Sequence, residues 1–393
     1  MAEKNETTLR DYLKWRGDLT FAADPFNEVD NLILCTIAYL NFSRFPQLRQ
    51  KQPDQAIPMD ELAAQMDKRD EQLGLSELSY LPVILEAAAT VRFGSVKLLG
   101  YENELSEGQE SQFQAISFLL PDKSLFVAFM GTDTSLAGWK ENFNLSYLDA
   151  VPAQKRAAGY AAEMAGLCAE RTIRIGGHSK GGNLAAWAAL HLPEEMESRL
   201  LAVYNNDGPG FNRDLMESEN YRRIAEKLHT YIPESSIVGV LLEHAEEYTV
   251  IDSINHGVLQ HEILSWCCEG NQMVHLGQRS QLGQASDEIL RDWIGTMTPG
   301  EREMLSNTIF EILSEDGKYH TLGELKESGI GGTWELIRRF STADEEKKKL
   351  LRDVFKRLVE EIRSEVRRDT RENLRAVRSS IKAAIDTVFE TKK

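Results

Sequence analysis

Apolar and polar residues follow three different spacings along the 393-residue chain, and the changes between them divide it into three parts. Residues 1–94 carry helical spacing, as in NEVDNLILCTIAYLNF and in SYLPVILEAAATVRFG, which ends at a glycine. Residues 95–284 alternate short apolar runs with helix-like segments, and from residue 285 to the end the spacing is helical again. We therefore predict an N-terminal helical region, an α/β core and a C-terminal helical extension.

Within the central part, the runs SVKLLGYENEL and SQFQAISFLLPD predict two adjacent strands. Three further apolar runs, SLFVAFMGT, RTIRIGG and LLAVYNNDGPGF, are separated by helix-like segments at residues 151–170 and 179–192. HTYIPES and EYTVIDS are the last strand candidates. Strands that alternate with helices in this way predict a mostly parallel central sheet with helices on both faces.

The C-terminal extension carries one long apolar stripe. Its members are Leu351, Val354, Leu358, Ile362, Val366, Leu374, Val377, Ile381, Ile385 and Val388. Their spacing of about 3.7 residues is too long for a left-handed heptad coil. We predict one long helix that packs on the body of the protein or on a second copy, which would make a homo-oligomer; a basic surface-binding arm is the alternative.

The composition narrows the classes of function. The formal net charge of −17 argues against nucleic-acid binding, which needs a lysine- and arginine-rich surface. No apolar run approaches the ~18 residues of a membrane span, and the N-terminal residues have no apolar stretch typical of a secretory signal. The 4 cysteines include no CxxC pair, so neither a disulfide framework nor a zinc site is expected. We predict a cytoplasmic protein without metal or organic cofactor.

One glycine-rich segment stands between a strand-like and a helix-like run. It reads Gly177-His178-Ser179-Lys180-Gly181, between RTIRI and GNLAAWAAL. Strand, G-x-S-x-G and helix in this order are typical of a nucleophile elbow, a sharp turn that exposes a serine hydroxyl at the edge of a sheet. The glycines fit because a β-carbon there would collide with the adjacent strand and helix. Ser179 is the predicted nucleophile; a structural or phosphate-binding βα turn is the alternative.

An activated serine also needs donors for the oxyanion that forms during its attack. The N–H of Lys180 follows the serine, and the earlier strand SLFVAFMGT ends at Gly131-Thr132-Asp133. We predict an oxyanion hole from Lys180, Thr132 and Asp133. Thr132 and Asp133 could instead cap the helix that follows them.

The acid and the base are expected downstream of the serine, in the order serine, acid, histidine. Asp207 ends the strand after the elbow, and Glu234 and Asp252 are the competing carboxylates. His261 follows the last strand candidate and is the favoured base, with His256 second. We predict the triad Ser179, His261 and Asp207.

These segments also resemble known families. AFMGTDTSLAGWKENFN with IGGHSKGGNLAAWAAL is similar to the class-3, fungal-type lipases of the α/β-hydrolase superfamily. YLKWRGDLTFAADPFNEVDNLIL, DGPGF, SIVGVLL and QHEILSW are similar to the bacterial Mbeg1-like family over about residues 11–266. The resemblance implies an α/β-hydrolase fold and serine-hydrolase chemistry, with Ser179 and His261 at the family's GHSKGG and QH positions. Class-3 lipases carry their acid in a D-x-V segment, whereas residues 235–238 here read SSIV, which favours Asp207.

We therefore expect a serine hydrolase that cleaves ester bonds of small molecules or lipids through an acyl-enzyme. Two alternatives stay open at this point. One is a non-catalytic interaction protein that retains the fold, and the other is a peptidase or acyltransferase that uses the same triad.

Overall fold

The computed structural model describes residues 6–66, 75–106, 108, 110–133, 135–240, 242–314, 320, 321, 349, 350, 352–354, 356 and 357. Of the predicted C-terminal stripe, only Val354 lies within these residues. The chain divides into two compact units. The first consists of residues 1–104, 113–131 and 152–278, and the second of residues 105–112, 132–151 and 279–393. The predicted boundaries near residues 94 and 284 remain predictions.

Nine strands form one mixed sheet. In the described residues the strands are β1 (Ile57–Pro58), β2 (Lys97–Ser106), β3 (Ser111–Leu119), β4 (Ser124–Phe129), β5 (Thr172–His178), β6 (Leu200–Asn206), β7 (Leu228–Pro233), β8 (Tyr248–Ile251), β9 (Cys268–Glu269), β10 (Gln272–Met273) and β11 (His275–Leu276). The large sheet has the order β1-β2-β3-β4-β5-β6-β7-β8-β11, and β9 and β10 pair separately. Strands β4 to β8 are parallel to one another, which confirms the mostly parallel centre.

The helices that connect and cover these strands are α1 (Leu9–Arg16), α2 (Glu28–Ile37), α3 (Met59–Ala63), α4 (Leu75–Ala88), α5 (Leu136–Asn144), α6 (Pro152–Leu167), α7 (Lys180–Leu190), α8 (Glu194–Glu197), α9 (Arg213–Met216), α10 (Glu219–Ile224), α11 (Gln281–Gly295) and α12 (Pro299–Ser314). The sequence predicts the longer elements within a few residues. It does not reveal the two-residue strands, which depend on their pairing partners.

Two glycines of β5 show that helices lie on both faces of the sheet. A β-carbon on Gly176 would meet Asn31 and Cys35 of α2, whereas one on Gly177 would meet the backbone of α7. Successive residues of a strand point to opposite faces. Helices α2 and α7 therefore cover the strand from opposite sides.

The N-terminal helices belong to the main hydrophobic core. Buried residues of α1, α2 and α4 join Leu98, Phe118 and Phe126 of the strands in one cluster. Asp30 and Arg92, both fully buried, form an ion pair with Arg92 Nε 2.7 Å from Asp30 Oδ1. These helices therefore complete the core of the first unit.

In the second unit, α5 packs on α12. Met297, Leu305 and Val354 form a small buried cluster, and the Trp293 indole donates to the Val354 carbonyl at 3.0 Å. The first turn of α5 is capped by Ser135, whose hydroxyl accepts from the N–H of Gly138 at 3.1 Å.

Candidate active site

Ser179 lies at a strained strand-to-helix turn. Strand β5 ends at His178 and α7 begins at Lys180, so that Ser179 alone makes the turn, with φ 58° and ψ −132°. A side chain at positive φ is costly and persists only where the surroundings enforce it. The Ser179 hydroxyl caps no N–H of the helix. It is therefore left available for other chemistry.

Backbone crowding explains the glycines around Ser179. A β-carbon on Gly177 would lie 2.1 Å from the Gly181 oxygen, and one on Gly181 would lie 2.2 Å from the Phe129 oxygen. A β-carbon on Gly182 would lie 2.2 Å from Oδ1 of Asn205. Gly177 therefore lets α7 approach β5, and Gly181 and Gly182 let the start of α7 approach β4 and β6.

Asp207 and His261 are hydrogen-bonded, with 2.6 Å between Asp207 Oδ2 and His261 Nδ1. Asp207 follows β6 with φ 54°, and its N–H is held by the Tyr231 oxygen at 2.8 Å. Its carboxylate is fully buried, whereas the His261 side chain is 26% exposed. A buried carboxylate on one nitrogen leaves Nε2 of the imidazole as the nitrogen available to a nucleophile.

The competing residues lie elsewhere. The Glu234 carboxylate is 3.5 Å from the amide nitrogen of Gln260, and Asp252 accepts the N–H of Ser253 at 2.8 Å. His256 is exposed and begins the short helix Gly257–His261. Asp207 is the carboxylate that meets the His261 ring.

Two residues that the sequence did not reveal complete the surroundings of Asp207. Ser236 donates its hydroxyl to Asp207 Oδ2 at 2.5 Å, and Gly239 donates its N–H to Oδ1 at 3.1 Å. Ser236 lies in the SSIV stretch, where class-3 lipases carry their acid. In this chain that stretch supports a carboxylate from the neighbouring strand instead.

His178 is a third unexpected participant. Its Nε2 lies 2.8 Å from the His261 carbonyl oxygen and its Nδ1 lies 2.7 Å from the Tyr39 hydroxyl. A carbonyl only accepts, so Nε2 carries the proton and Tyr39 donates to Nδ1. Burial, followed by repulsion from His261, holds the pKa of His178 well below its usual value. His178 is therefore a neutral ring, packed 4.6 Å from the His261 ring, that fixes the backbone of His261.

Buried asparagines form hydrogen bonds that hold the turns at Ser179 and Asp207 in place. Asn31 and Asn206 exchange side-chain hydrogen bonds of 2.9 and 3.2 Å. The backbone carbonyl of Asn206 accepts the N–H of Ser179 at 2.9 Å. Asn183 of α7 donates to the carbonyls of Pro209 and Gly210, just beyond Asp207. A sequence shows such residues only as polar positions in apolar runs.

The predicted oxyanion residues fall into both units. Gly131 belongs to the first, and a β-carbon on it would lie 3.0 Å from the Ser179 Cβ. Lys180 is the first residue of α7 and is 1% exposed. Thr132 and Asp133 belong to the second unit, where Thr132 accepts from Asn142 at 2.6 Å and Asp133 accepts the N–H of Ser135 at 2.8 Å. Their role as oxyanion donors stays a prediction.

The serine and the histidine lie at the same edge of the sheet, since His178 precedes Ser179 and its ring packs against that of His261. Among the described residues, no hydrogen bond joins the Ser179 hydroxyl to the His261 ring. The same residues include no group of three or more His, Cys, Asp or Glu arranged to hold a metal ion. Nor do they include a helix long and apolar enough to cross a membrane.

Comparison with known proteins identifies the family. The model of the Mbeg1-like family matches residues 87–311, more than half of the chain. The chain belongs to the Mbeg1-like family. With its mostly parallel sheet, helices on both faces and a strand–serine–helix turn, this Mbeg1-like protein has the α/β-hydrolase fold that the sequence predicted.

Two lipases are among the similar solved structures. The propeptide complex of Rhizomucor miehei lipase is 18% identical over 40% of this chain and 57% of its own, with a TM-score of 0.31. The chain thus matches little more than half the length of that lipase. The Lip2 lipase of Yarrowia lipolytica is 13% identical over 63% of this chain and 91% of its own, with a TM-score of 0.35. No curated protein matches the Mbeg1-like chain by sequence.

Proposed function

We propose that this protein is a serine hydrolase that cleaves carboxylic esters through Ser179, His261 and Asp207. The observation that carries the proposal is the 2.6 Å bond between Asp207 and His261, beside a serine at a strained strand-to-helix turn. A structural turn of this kind does not need a buried carboxylate hydrogen-bonded to a partly exposed histidine. A hydrolase needs both.

In the proposed reaction, His261 Nε2 takes the proton of Ser179 as its oxygen attacks the ester carbonyl. Asp207 holds the other ring proton and stabilises the imidazolium. His261 then protonates the leaving alcohol, and water attacks the acyl-serine in a second cycle of the same steps. Each step uses only side chains of this chain.

The developing oxyanion needs donors that are already in place. We assign one of them to the N–H of Lys180, the residue that follows Ser179 at the start of α7. Gly131, in the same compact unit, can approach Ser179 closely because it has no side chain. The contribution of Thr132 and Asp133 stays a prediction from the sequence. The positive end of the α7 helix dipole also favours the negative charge of the oxyanion. Loss of one such donor typically costs about 3 kcal/mol of transition-state stabilisation.

We expect the substrates to be small esters or lipids. We also expect the protein to act in the cytoplasm. The family match and the fold support a hydrolase of the lipase type. A substrate panel would identify the acyl and alcohol groups of the ester that it cleaves. Competing alcohols and peptides in that panel would separate an esterase from an acyltransferase or a peptidase with the same triad.

The test is labelling of the full chain by a fluorescent fluorophosphonate, which reacts with activated serines. We expect the wild type to be labelled, Ser179→Ala to be unlabelled, and His261→Ala to react at least about 10³-fold more slowly. The matched control is His256→Ala, which removes a nearby exposed histidine and should react like the wild type. An unlabelled, folded wild type would contradict the proposal and favour a binding protein that retains the fold.

A further inference from the structure

A second histidine–carboxylate pair lies two hydrogen bonds away from Asp207. His244 Nε2 bonds the Gly239 carbonyl, and the Gly239 N–H bonds Asp207 Oδ1 at 3.1 Å. The other ring nitrogen of His244 lies 3.0 Å from Glu246 Oε1. The side chains of His244 and Glu246 are only 5% and 3% exposed. Neither belongs to the proposed triad.

The hydrogen-bond partners of His244 fix the direction of its ring. Its Nε2 faces the Gly239 carbonyl, which only accepts, so Nε2 donates to it. Its Nδ1 faces the Glu246 carboxylate, which is the second hydrogen-bond partner of the ring.

The state of Glu246 agrees with this arrangement. Burial raises the pKa of Glu246, but hydrogen bonds and charge from His244, followed by the hydroxyl of Thr230, lower it to about 2. The hydroxyl of Tyr221 also donates to this carboxylate. Burial raises the pKa of Tyr221, so it remains a donor. Glu246 is then an ionised acceptor for three donors.

We propose that His244 is a positioning residue, held by Glu246, that fixes Gly239 and through it the carboxylate of Asp207. The proposal rests on the proposed function, in which Asp207 is the acid of the triad. Gly239 suits this task because a β-carbon on it would lie 2.3 Å from Asp207 Oδ1. Only a residue without a side chain lets its backbone hold the carboxylate directly.

The hydrogen bond from His244 matters because Gly239 is held at both ends, by Nε2 of His244 on its carbonyl and by Asp207 on its N–H. Without the His244 donor, only the bond to Asp207 remains. We expect the reactivity of Ser179 to fall in that case.

Two measurements on the full chain test the proposal. The first is the NMR spectrum of the ring nitrogens in ¹⁵N-histidine-labelled protein, with His244 assigned by its loss in His244→Gln. The second is the rate of fluorophosphonate labelling, measured beside thermal unfolding of the same samples. The variants are His244→Leu, which removes the donor to Gly239, and His244→Gln, which keeps one, and the control is His191→Gln. His191 bonds the Trp187 oxygen at the far end of α7, about 18 Å along the helix from Ser179.

We expect Nε2 of His244 to carry a proton. His244→Leu removes the donor to Gly239 and should lower the labelling rate at least about tenfold, whereas His244→Gln keeps a donor and should lower it less than about threefold. His191→Gln should behave like the wild type.

A His244 Nε2 without a proton, or equal labelling rates in His244→Leu and His244→Gln, would overturn the proposal. A role in stability alone would lower the midpoint of thermal unfolding without separating the labelling rates of the two variants. If the folded wild type does not react with the probe, the proposed function fails and the positioning role fails with it. The ring-nitrogen spectra would still show whether His244 donates to Gly239.

Discussion

Asp207 carries the strictest local requirements of the proposed site. Its backbone has a positive φ, its N–H is held by Tyr231, and its carboxylate accepts from Ser236, Gly239 and His261. Three donors on one buried carboxylate leave it a single orientation. At the scale of the residue, the direction of the His261 ring follows from that orientation.

We predict that Asp207→Asn lowers fluorophosphonate labelling by about 10³–10⁴-fold, as the loss of a triad acid does elsewhere. Asparagine tolerates a positive φ, so the fold should persist. The amide would favour the wrong tautomer of His261. The measurement is the labelling rate beside circular dichroism of the same samples.

The controls for this variant are the two competing carboxylates. Asp252→Asn and Glu234→Gln should each label within about threefold of the wild type, since neither carboxylate contacts the His261 ring. If either variant lost most of its labelling while Asp207→Asn kept it, the role of the acid would belong to that residue instead.

At the scale of the element, α7 lies unusually close to the strands. Its first turn contains two glycines, and β5 contributes a third at Gly177. The contact places the start of the helix, and with it the N–H of Lys180, at the proposed oxyanion position. As a consequence, a side chain at any of these three glycine positions would collide with its neighbours.

We predict that Gly181→Ala destabilises the protein by about 2–3 kcal/mol, because its β-carbon would lie 2.2 Å from the Phe129 oxygen. The matched control is Gly159→Ala in α6, where the nearest atom, 3.7 Å away, belongs to the flexible side chain of Arg156. That change should stabilise by about 0.5–1 kcal/mol, since alanine is the better helix former. Denaturant unfolding of both variants measures the difference. Equal effects would show that the elbow is not sterically restricted.

At the scale of the whole molecule, the N-terminal helices are held by a buried ion pair as well as by apolar contacts. Arg92 bonds Asp30 and donates to the carbonyls of Leu19, Asp24 and Pro25. Burial raises the pKa of Asp30, and Arg92 opposes that shift. The guanidinium thus supplies hydrogen-bond donors both to the buried carboxylate and to these three backbone carbonyls.

We predict that Arg92→Met lowers the free energy of unfolding by about 3–5 kcal/mol, because it leaves the Asp30 carboxylate buried without its partner. The control is Arg10→Met, whose pair with Glu86 is partly exposed, at 46% and 33% of the side chains. That change should cost less than about 1 kcal/mol. Urea titration of the full chain measures both, and similar costs would contradict the structural role of the buried pair.

The sequence by itself determined the elements that depend on neighbouring residues. The apolar runs of β4 to β8, the helices between them and a tight strand-to-helix turn at Ser179 follow from local spacing and from the glycines around the serine. Asp207 and His261 could be proposed because chain order and strand ends restrict the choice.

The tertiary structure decided which groups surround these residues. That Asp207 meets the His261 ring, that Ser236 and Gly239 hold its carboxylate, and that His178 joins Tyr39 to the His261 backbone depend on loops far apart in the sequence. The pair of His244 and Glu246 is of the same kind. Hydrogen bonds between distant loops leave no periodic trace in a sequence, because each needs only one polar residue at a position that the fold brings into place.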